Sequence, residues 1–289
     1  MINIHNDFQT VREILKNAID MHIHSSPDLI PRKISDIEAA QQAKEAMMRA
    51  ILLKNHYEST VGRAKIVQKI IGKSLNVFGG KVLNYSTGGI NPEAVEIAIK
   101  MGAKEIWMPT IDSKNHYHKM KKKENKKGIY ILNDDGKLMV PVYEVIKLIA
   151  ESGIVLGTGH LSSKEIIILV KEARKMGVEK ILITHPEWRI VNMKFDVQAE
   201  LSKAGAYFER CLYFLNENNY QPSSFSTIVE SIRKIGVEST VMSTDFGQTY
   251  NPSPVAGMHW YIEKMLENGF SQQEINTMVK RNPSNLLGI

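Results

Sequence analysis

Short runs of β-branched and apolar residues alternate along this chain with longer stretches whose apolar positions recur every three or four residues. The short runs read as strands and the long ones as amphipathic helices, because side chains repeat with period 2 on a strand and about 3.6 on a helix. The strands expected are 18–24, 50–56, 76–84, 105–110, 154–160, 180–185, 206–209 and 239–245. Helices are expected between them, among them 34–46, 92–101, 142–151, 163–176 and 226–235. Gly102, Gly153, Gly177 and Gly236 each end a helical pattern and precede a strand, as C-cap glycines do. Strands separated by helices are βαβ units with parallel pairing. Eight of them favour a closed (β/α)8 TIM barrel, a fold of about 250 residues.

The longest interval between strand starts runs from Glu105 to Ile154. It holds a lysine run, Lys119–Lys127, and a hairpin pattern over 129–140 turned at Asp135-Gly136. This hairpin insertion follows strand 4 at the carboxyl end of the barrel, where active sites form, and reads as a flap over the site. Neither an internal repeat nor a linker divides the chain, so 1–289 is expected to be a single barrel domain.

Composition narrows the class. Of 289 residues 43% are hydrophobic and 24% charged, enough for a sizeable core and too ordered a mix for disorder. No apolar stretch reaches the ~18 residues of a membrane span. The first residues, Met1-Ile-Asn-Ile-His-Asn-Asp-Phe8, lack the basic and then apolar layout of a signal peptide. The single cysteine, Cys211, permits no internal disulfide. A cytoplasmic protein is therefore expected. The net charge of +6 sits largely in the lysine run, with no interleaved aromatics, and so reads as a solvated insertion rather than a nucleic-acid surface. The expected partner is a small-molecule substrate, with no nucleic acid and no membrane. Homo-oligomerisation stays open.

The strand ends carry the chemistry. His22 and His24 lie two apart, so both imidazoles project from one strand face, a geometry suited to one metal ion. His160 and His185 end strands five and six, and Asp245 ends strand eight. Lys54 and His56 come from strand two, Asn84 from three, Thr110 and Asp112 from four and Glu209 from seven. Neutral imidazoles bind a divalent ion without cancelling its charge, and water on such an ion ionises near pH 7. A carboxylate placed like Asp245 can ligate the ion, accept the proton and deliver it to a leaving group.

The ordered segments Asp20-Met-His-Ile-His, Gly157-Thr-Gly-His, Ile183-Thr-His-Pro and Ser243-Thr-Asp-Phe-Gly resemble the amidohydrolase superfamily, nearest its phosphotriesterase-like branch. Asp28-Leu-Ile-Pro-Arg and Leu53-Lys-Asn-His are similar to a subgroup of amidohydrolase-like proteins of unassigned function, and the tail from Val279 resembles the superfamily's closing helix. The resemblance implies His22, His24, His160, His185 and Asp245 as metal ligands, with Asp245 also the general base. It further implies one or two divalent ions, Zn2+ first, with Mn2+, Fe2+ and Ni2+ also suited to these donors. Two-metal members bridge their ions with a carbamylated lysine or a glutamate ending strand four, and the run Ile106-Trp-Met-Pro-Thr-Ile-Asp112 has neither. Lys54 is then either a bridging carbamate from strand two or an ammonium that serves the substrate. Glu209 is a second bridge candidate.

Substrate contacts are expected from His56, Arg32, Asn84, Glu209 and His116, with His118 in the same loop. Glu187 reads as a helix cap, and Cys211 lacks a paired base and so is not expected to act as a nucleophile. The function expected is metal-dependent hydrolysis, a metal-bound hydroxide attacking an amide, lactone or ester bond. Phosphoesters fit less well, since no arginine cluster or glycine-rich phosphate cradle is present. Two alternatives stand beside it: a phosphoesterase of the polymerase-and-histidinol-phosphatase type, and a barrel that binds metal or ligand without turnover.

Overall fold

A computed structural model describes residues 4–120, 127–212 and 225–289, so the middle of the lysine run lies outside the described residues. The chain opens with α1 (Ile4–Leu15), β1 (Ile19–Ile23), α2 (Asp36–Glu45), β2 (Ala50–Leu53), α3 (Val61–Ile71), β3 (Asn76–Val82) and α4 (Pro92–Lys100). It continues through β4 (Glu105–Trp107), α5 (Lys114–Lys119), α6 (Val140–Ser152), β5 (Val155–Gly157), α7 (Ser163–Lys175), β6 (Ile181–Thr184), α8 (Phe195–Lys203) and β7 (Tyr207–Cys211). It closes with α9 (Phe225–Ile235), β8 (Thr240–Ser243), α10 (Pro254–Glu267), α11 (Gln272–Asn276), a π-helical turn (Thr277–Arg281) and α12 (Asn282–Leu287). The eight strands form one sheet in the order β1 to β8, and the fold is the expected (β/α)8 barrel. Among the described residues no helix is long and apolar enough to cross a membrane.

Two compact units make up the chain: Met1–Lys54, Gly62–Phe78 and Cys211–Ile289 form the first, Asn55–Val61 and Gly79–Arg210 the second. In the first, β1 pairs in parallel with β2 through Ile19–Ala50 and Asp20–Ile51. β1 is buried on both faces, and beyond β8 the chain runs on beside it, with Ile23 bridged to Phe246. α1 packs on α10, burying Val11 and Ile14 on one side and Tyr261, Ile262 and Met265 on the other.

In the second unit β3, β4, β5, β6 and β7 pair in parallel in turn. Trp107 of β4 is wholly buried. It fits because its flanking neighbours are glycines: a Cβ at Gly80 would lie 2.6 Å from its ring, and one at Gly157 would lie 2.4 Å from it. Ser162 and Glu165 form a reciprocal capping box at the start of α7, one of the side-chain caps that satisfy the first turn's orphan N–H groups. Gly153 closes α6 in the left-handed conformation, as the C-cap pattern predicts. The expected hairpin is narrow. Leu132 and Leu138 form a single antiparallel bridge, and Asn133 N–H donates to the Lys137 carbonyl at 2.8 Å around a Gly136 with φ of +75°.

Most strands end one to three residues before the sequence pattern does. Pro109 follows β4 by two residues and cannot donate to a ladder. Gly159 (φ +60°), His185 (φ +53°) and Asp245 (φ +53°) take left-handed backbone that leaves the extended path. β7 departs the other way and continues to Cys211, two residues beyond its expected end.

Candidate metal centre

In the first unit the site is built on β1 and the segment after β8. Asp20, His22 and His24 share one strand face. Asp20 is buried and binds the neighbouring segment: Thr244 Oγ1–H donates to its Oδ2 at 2.6 Å, and Thr244 N–H and His22 N–H donate to its Oδ1, each at 3.2 Å. Burial outweighs these donors and pushes its carboxyl up to about 7. Asp245 N–H donates to the His22 carbonyl at 2.8 Å, and His24 N–H to the Phe246 carbonyl at 2.8 Å. The chain can come this close only because residue 247 is glycine, with φ of +141°; a Cβ there would sit 1.8 Å from the His24 carbonyl oxygen.

This framework aims three side chains at one point. His22 Nε2 and His24 Nε2 each lie 3.0 Å from Asp245 Oδ1. Lys54 Nζ–H, one residue past β2, donates to His22 Nε2 at 3.0 Å. On the other side of the same ring, Cys211 Sγ lies 3.8 Å from His22 Nδ1. Arg32 Nη2–H donates to His24 Nδ1 at 3.3 Å, and its Nε–H to Asp28 Oδ2 at 2.7 Å. Burial first, and then the Arg32 charge, hold His24 down at about 3, so the ring is neutral.

The donor set fits a divalent cation. His22, Cys211 and Asp245 offer nitrogen, sulfur and oxygen atoms all within 4.8 Å of one another. His22 Nε2 faces a lysine donor and a carboxylate oxygen at once. A nitrogen that accepts from Lys54 meets Asp245 lone pair to lone pair, a contact that a positive charge between them relieves. His24 fits less directly, since its Nδ1 accepts from Arg32.

In the second unit the expected residues fall into two groups. Asn84 donates through Nδ2 to Thr110 Oγ1 at 2.8 Å and to the His56 carbonyl at 2.9 Å, while Thr110 N–H donates back to Asn84 Oδ1 at 2.8 Å. His56 Nδ1 stands 2.9 Å from Thr110 Oγ1. Asp112 accepts from Tyr85 N–H at 2.9 Å and Tyr117 O–H at 2.7 Å, a role in fixing loops. One residue past Asn84 begins a cavity of about 730 Å3, walled by Tyr85, Ile90, Ile129, Tyr130 and Met139.

The other group is aromatic. His160 Nδ1 lies 3.0 Å from His116 Nδ1, and Ser113 Oγ–H and Asn115 Nδ2–H both donate to the His160 carbonyl, at 2.9 and 3.1 Å. His116 is thus buried against His160, whereas His118 is exposed. The Trp188 ring packs beside His116, His160 and His185, with centroids 5.9, 5.0 and 5.4 Å away. His185 N–H donates to the Glu209 carbonyl at 3.2 Å, and Glu209 is buried within β7 rather than at its end. Glu187 does not cap α8, which starts at Phe195. Its carboxylate pairs instead with the buried Arg210 guanidinium.

Three residues hold places that the sequence pattern does not assign them. Asp20 carries a period-2 signal ahead of His22 and His24. Cys211 was hidden because strand seven was ended at Glu209. Arg210 left no signal, since a lone arginine inside an apolar run says nothing of a partner 23 positions back (187 to 210).

Residues 17–209 match a family described as a family of unknown function, DUF6282. No curated protein matches the sequence. Among solved structures, an amidohydrolase from Pseudomonas aeruginosa is similar at 11% identity and a TM-score of 0.67, over 97% of this chain and 98% of that one. A lactonase from Listeria monocytogenes is similar at 11% identity and a TM-score of 0.60, over 94% and 95%. A phosphotriesterase from Mycobacterium tuberculosis is similar at 15% identity and a TM-score of 0.54, over 95% of each. At these identities the likeness is one of fold, and it is the fold that the resemblance to the amidohydrolase superfamily implies.

Proposed function

The chain belongs to DUF6282, a family of unknown function, and within it we propose a metal-dependent hydrolase that acts on an amide, lactone or ester bond of a small molecule. The observation that carries the reading is the convergence of His22 and His24 on one carboxylate oxygen of Asp245. The proposed ligand set is His22, His24, His160, His185 and Asp245, for one or two divalent ions, Zn2+ first. When bound, such an ion supplies Lewis acidity and brings the ionisation of water near pH 7. Cys211 is a further donor beside His22, and a sulfur ligand favours Zn2+ over Mn2+.

The chain's own residues do the rest. Asp245 is the general base: its carboxylate takes a proton from the attacking water and returns it to the departing amine or alkoxide. Lys54, buried against His22, either steadies negative charge on the substrate as an ammonium or serves as a carbamate bridge. His56 and Asn84, locked together through Thr110, would serve as polar substrate contacts, with Arg32, Glu209 and His116 as further ones. The apolar cavity beside Asn84 has the size of a small-molecule site.

Metal analysis of the purified protein, followed by a lactone, ester and amide panel, tests the reading. At least one equivalent of transition metal is expected, with activity lost on chelation and restored by Zn2+. Asp245→Asn should lower kcat about 10²–10⁴-fold, the usual worth of a general base. A protein that takes up no metal, or an Asp245→Asn variant as active as the parent, refutes it.

A further inference from the structure

We propose that the first unit carries a second ligand site at the amino ends of its strands, a cleft that takes a phosphorylated, hydroxyl-bearing small molecule such as a sugar phosphate. The cleft lies between the residue that enters β2 and the π-helical turn with α12, and it encloses about 530 Å3. That volume falls in the range of small-molecule sites. Arg49, Lys280 and Arg281 bring three cations to its wall, and among the described residues no carboxylate lines it. Residue 49 meets residues 280 and 281 only in the fold, so no basic run announces the cluster.

The backbone fixes where these cations stand. Arg49 N–H donates to the Ala18 carbonyl at 2.9 Å, and the Arg49 carbonyl accepts from Asn76 N–H at 3.0 Å, so Arg49 sits where β1, β2 and β3 begin. Pro283 has no N–H, which takes a rung from the helical ladder, and the turn before it widens. Asn282 N–H reaches back five residues to the Thr277 carbonyl. The buried Asn282 side chain donates through Nδ2 to the Val237 carbonyl at 2.8 Å and to the Thr240 carbonyl at 2.6 Å, holding the turn against the start of β8. Lys280 and Arg281 ride on this turn, and π-helical turns concentrate at functional sites.

The cations are short of counter-charge. Lys280 Nζ–H donates to a neutral acceptor, the Glu13 carbonyl, at 3.2 Å. Burial first, and then the Lys16 charge, hold the Lys280 ammonium below the usual lysine range. Arg49 Nη1–H donates to the Ser284 hydroxyl at 3.4 Å, again a neutral partner. Arg281 pairs with Glu238, but both side chains are exposed and an anion can compete for such a pair. A phosphate offers the two guanidinium groups paired acceptors and the ammonium a point of charge. The amides of Gln273, Asn276 and Asn285 also line the cleft. Asn276 Oδ1 is buried with no hydrogen-bond donor among the described residues, and a ligand hydroxyl supplies one.

Calorimetric titration of the full-length protein with ribose 5-phosphate, inorganic phosphate and ribose tests the site. Ribose 5-phosphate should bind more tightly than inorganic phosphate, ribose should not bind, and affinity should fall as salt rises. The double change Arg49→Met with Lys280→Met should weaken binding roughly 10-fold or more. Glu238→Gln, which releases Arg281, should tighten it. Asn276→Leu should erase the preference for ribose 5-phosphate over inorganic phosphate. Asp245→Asn, altered just past the opposite end of β8, should bind as the parent does. A parent that binds no phosphate, or a double variant that binds as tightly as the parent, overturns the site. So does binding that is lost in Asp245→Asn and kept in the double variant. Inorganic phosphate held as tightly as ribose 5-phosphate overturns the role of the hydroxyl. Binding to vesicles of phosphatidylcholine and phosphatidic acid without binding to ribose 5-phosphate assigns the cluster to a lipid surface and overturns the small-molecule reading.

Discussion

Replacing Glu187 with glutamine tests whether the second unit's histidine loop is held by a buried charge pair. The Glu187 carboxylate and the Arg210 guanidinium are 1% and 0% exposed, so almost no water screens them. Arg210 Nη2–H also donates to Gln198 Oε1 at 3.1 Å, which in turn donates through Nε2 to the Met193 carbonyl at 3.1 Å. Glutamine keeps the shape and one acceptor but takes the Glu187 charge away from the buried guanidinium, a loss of about 3–5 kcal/mol. Retention of that acceptor puts Glu187→Gln near the lower end, about 3 kcal/mol. For a chain of this size that is a drop of about 6–10 °C in Tm, readable by calorimetry. The paired change Glu187→Leu with Arg210→Met removes both charges and should recover most of the loss, because well-packed apolar replacements of buried ion pairs are often neutral. Glu187 stands two residues after His185, whose φ of +53° is backbone that costs about 1–3 kcal/mol to hold. Glu187→Gln should therefore also lower metal stoichiometry below that of the parent. A Tm within 2 °C of the parent, or a paired variant as unstable as the two single losses combined, refutes the reasoning.

Thr244→Val keeps the volume at residue 244 but removes the 2.6 Å donor to Asp20; a loss of about 1–3 kcal/mol in urea unfolding is expected for a buried carboxyl deprived of a donor, and an unchanged midpoint would show that Asp20 does not bind the two segments together. Gly247→Ala puts a Cβ 1.8 Å from the His24 carbonyl oxygen, at a φ that alanine rarely adopts. The variant should fail to accumulate in folded form or should bind Zn2+ at least 10-fold more weakly. Parent-like expression together with parent-like affinity would mean that the His24 loop tolerates displacement.

The alternation of strand and helix was legible because both periodicities are carried by single side chains, and the left-handed Gly153 that closes α6 shows the C-cap signal working as read. Strand ends were less legible. They depend on where the ladder breaks, and here it breaks at left-handed turns on His185 and Asp245, neither of which is a glycine. Hence Glu209 was read as the strand-seven terminus, when Cys211 is the residue beside His22. The pairing of His22 and His24 with Asp245 was readable from residue type and order. The partners that set each ring's proton were not, because Arg32, Cys211 and Lys54 reach these rings through loops and other strands whose course the sequence pattern does not state. Glu187 shows the same limit: its neighbours in sequence favoured a cap, while its partner in space is a buried arginine.

The two units carry different sets of functional groups. The first concentrates charge: Lys54 and Arg32 against Asp28, Asp20 and Asp245, all buried around two imidazoles. The second offers the rings of His56, His116, His160 and His185 with the Asn84 amide and the Thr110 hydroxyl. Neutral ligands leave an ion's charge unquenched, which is what Lewis acidity requires. Proton transfer instead needs a carboxylate, and in the proposed reading that is Asp245, which lies against His22 and His24. On the proposed reading the acid–base work falls to residues of β1, β2 and the segment after β8. Substitutions at His56, Asn84 or His116 should then act chiefly on substrate selection, and those at Asp20, Arg32 and Lys54 on the proton and the ion. A substrate panel run against both groups of variants separates the two roles: the first should change the rank order of substrates, and the second should lower every rate while keeping that order.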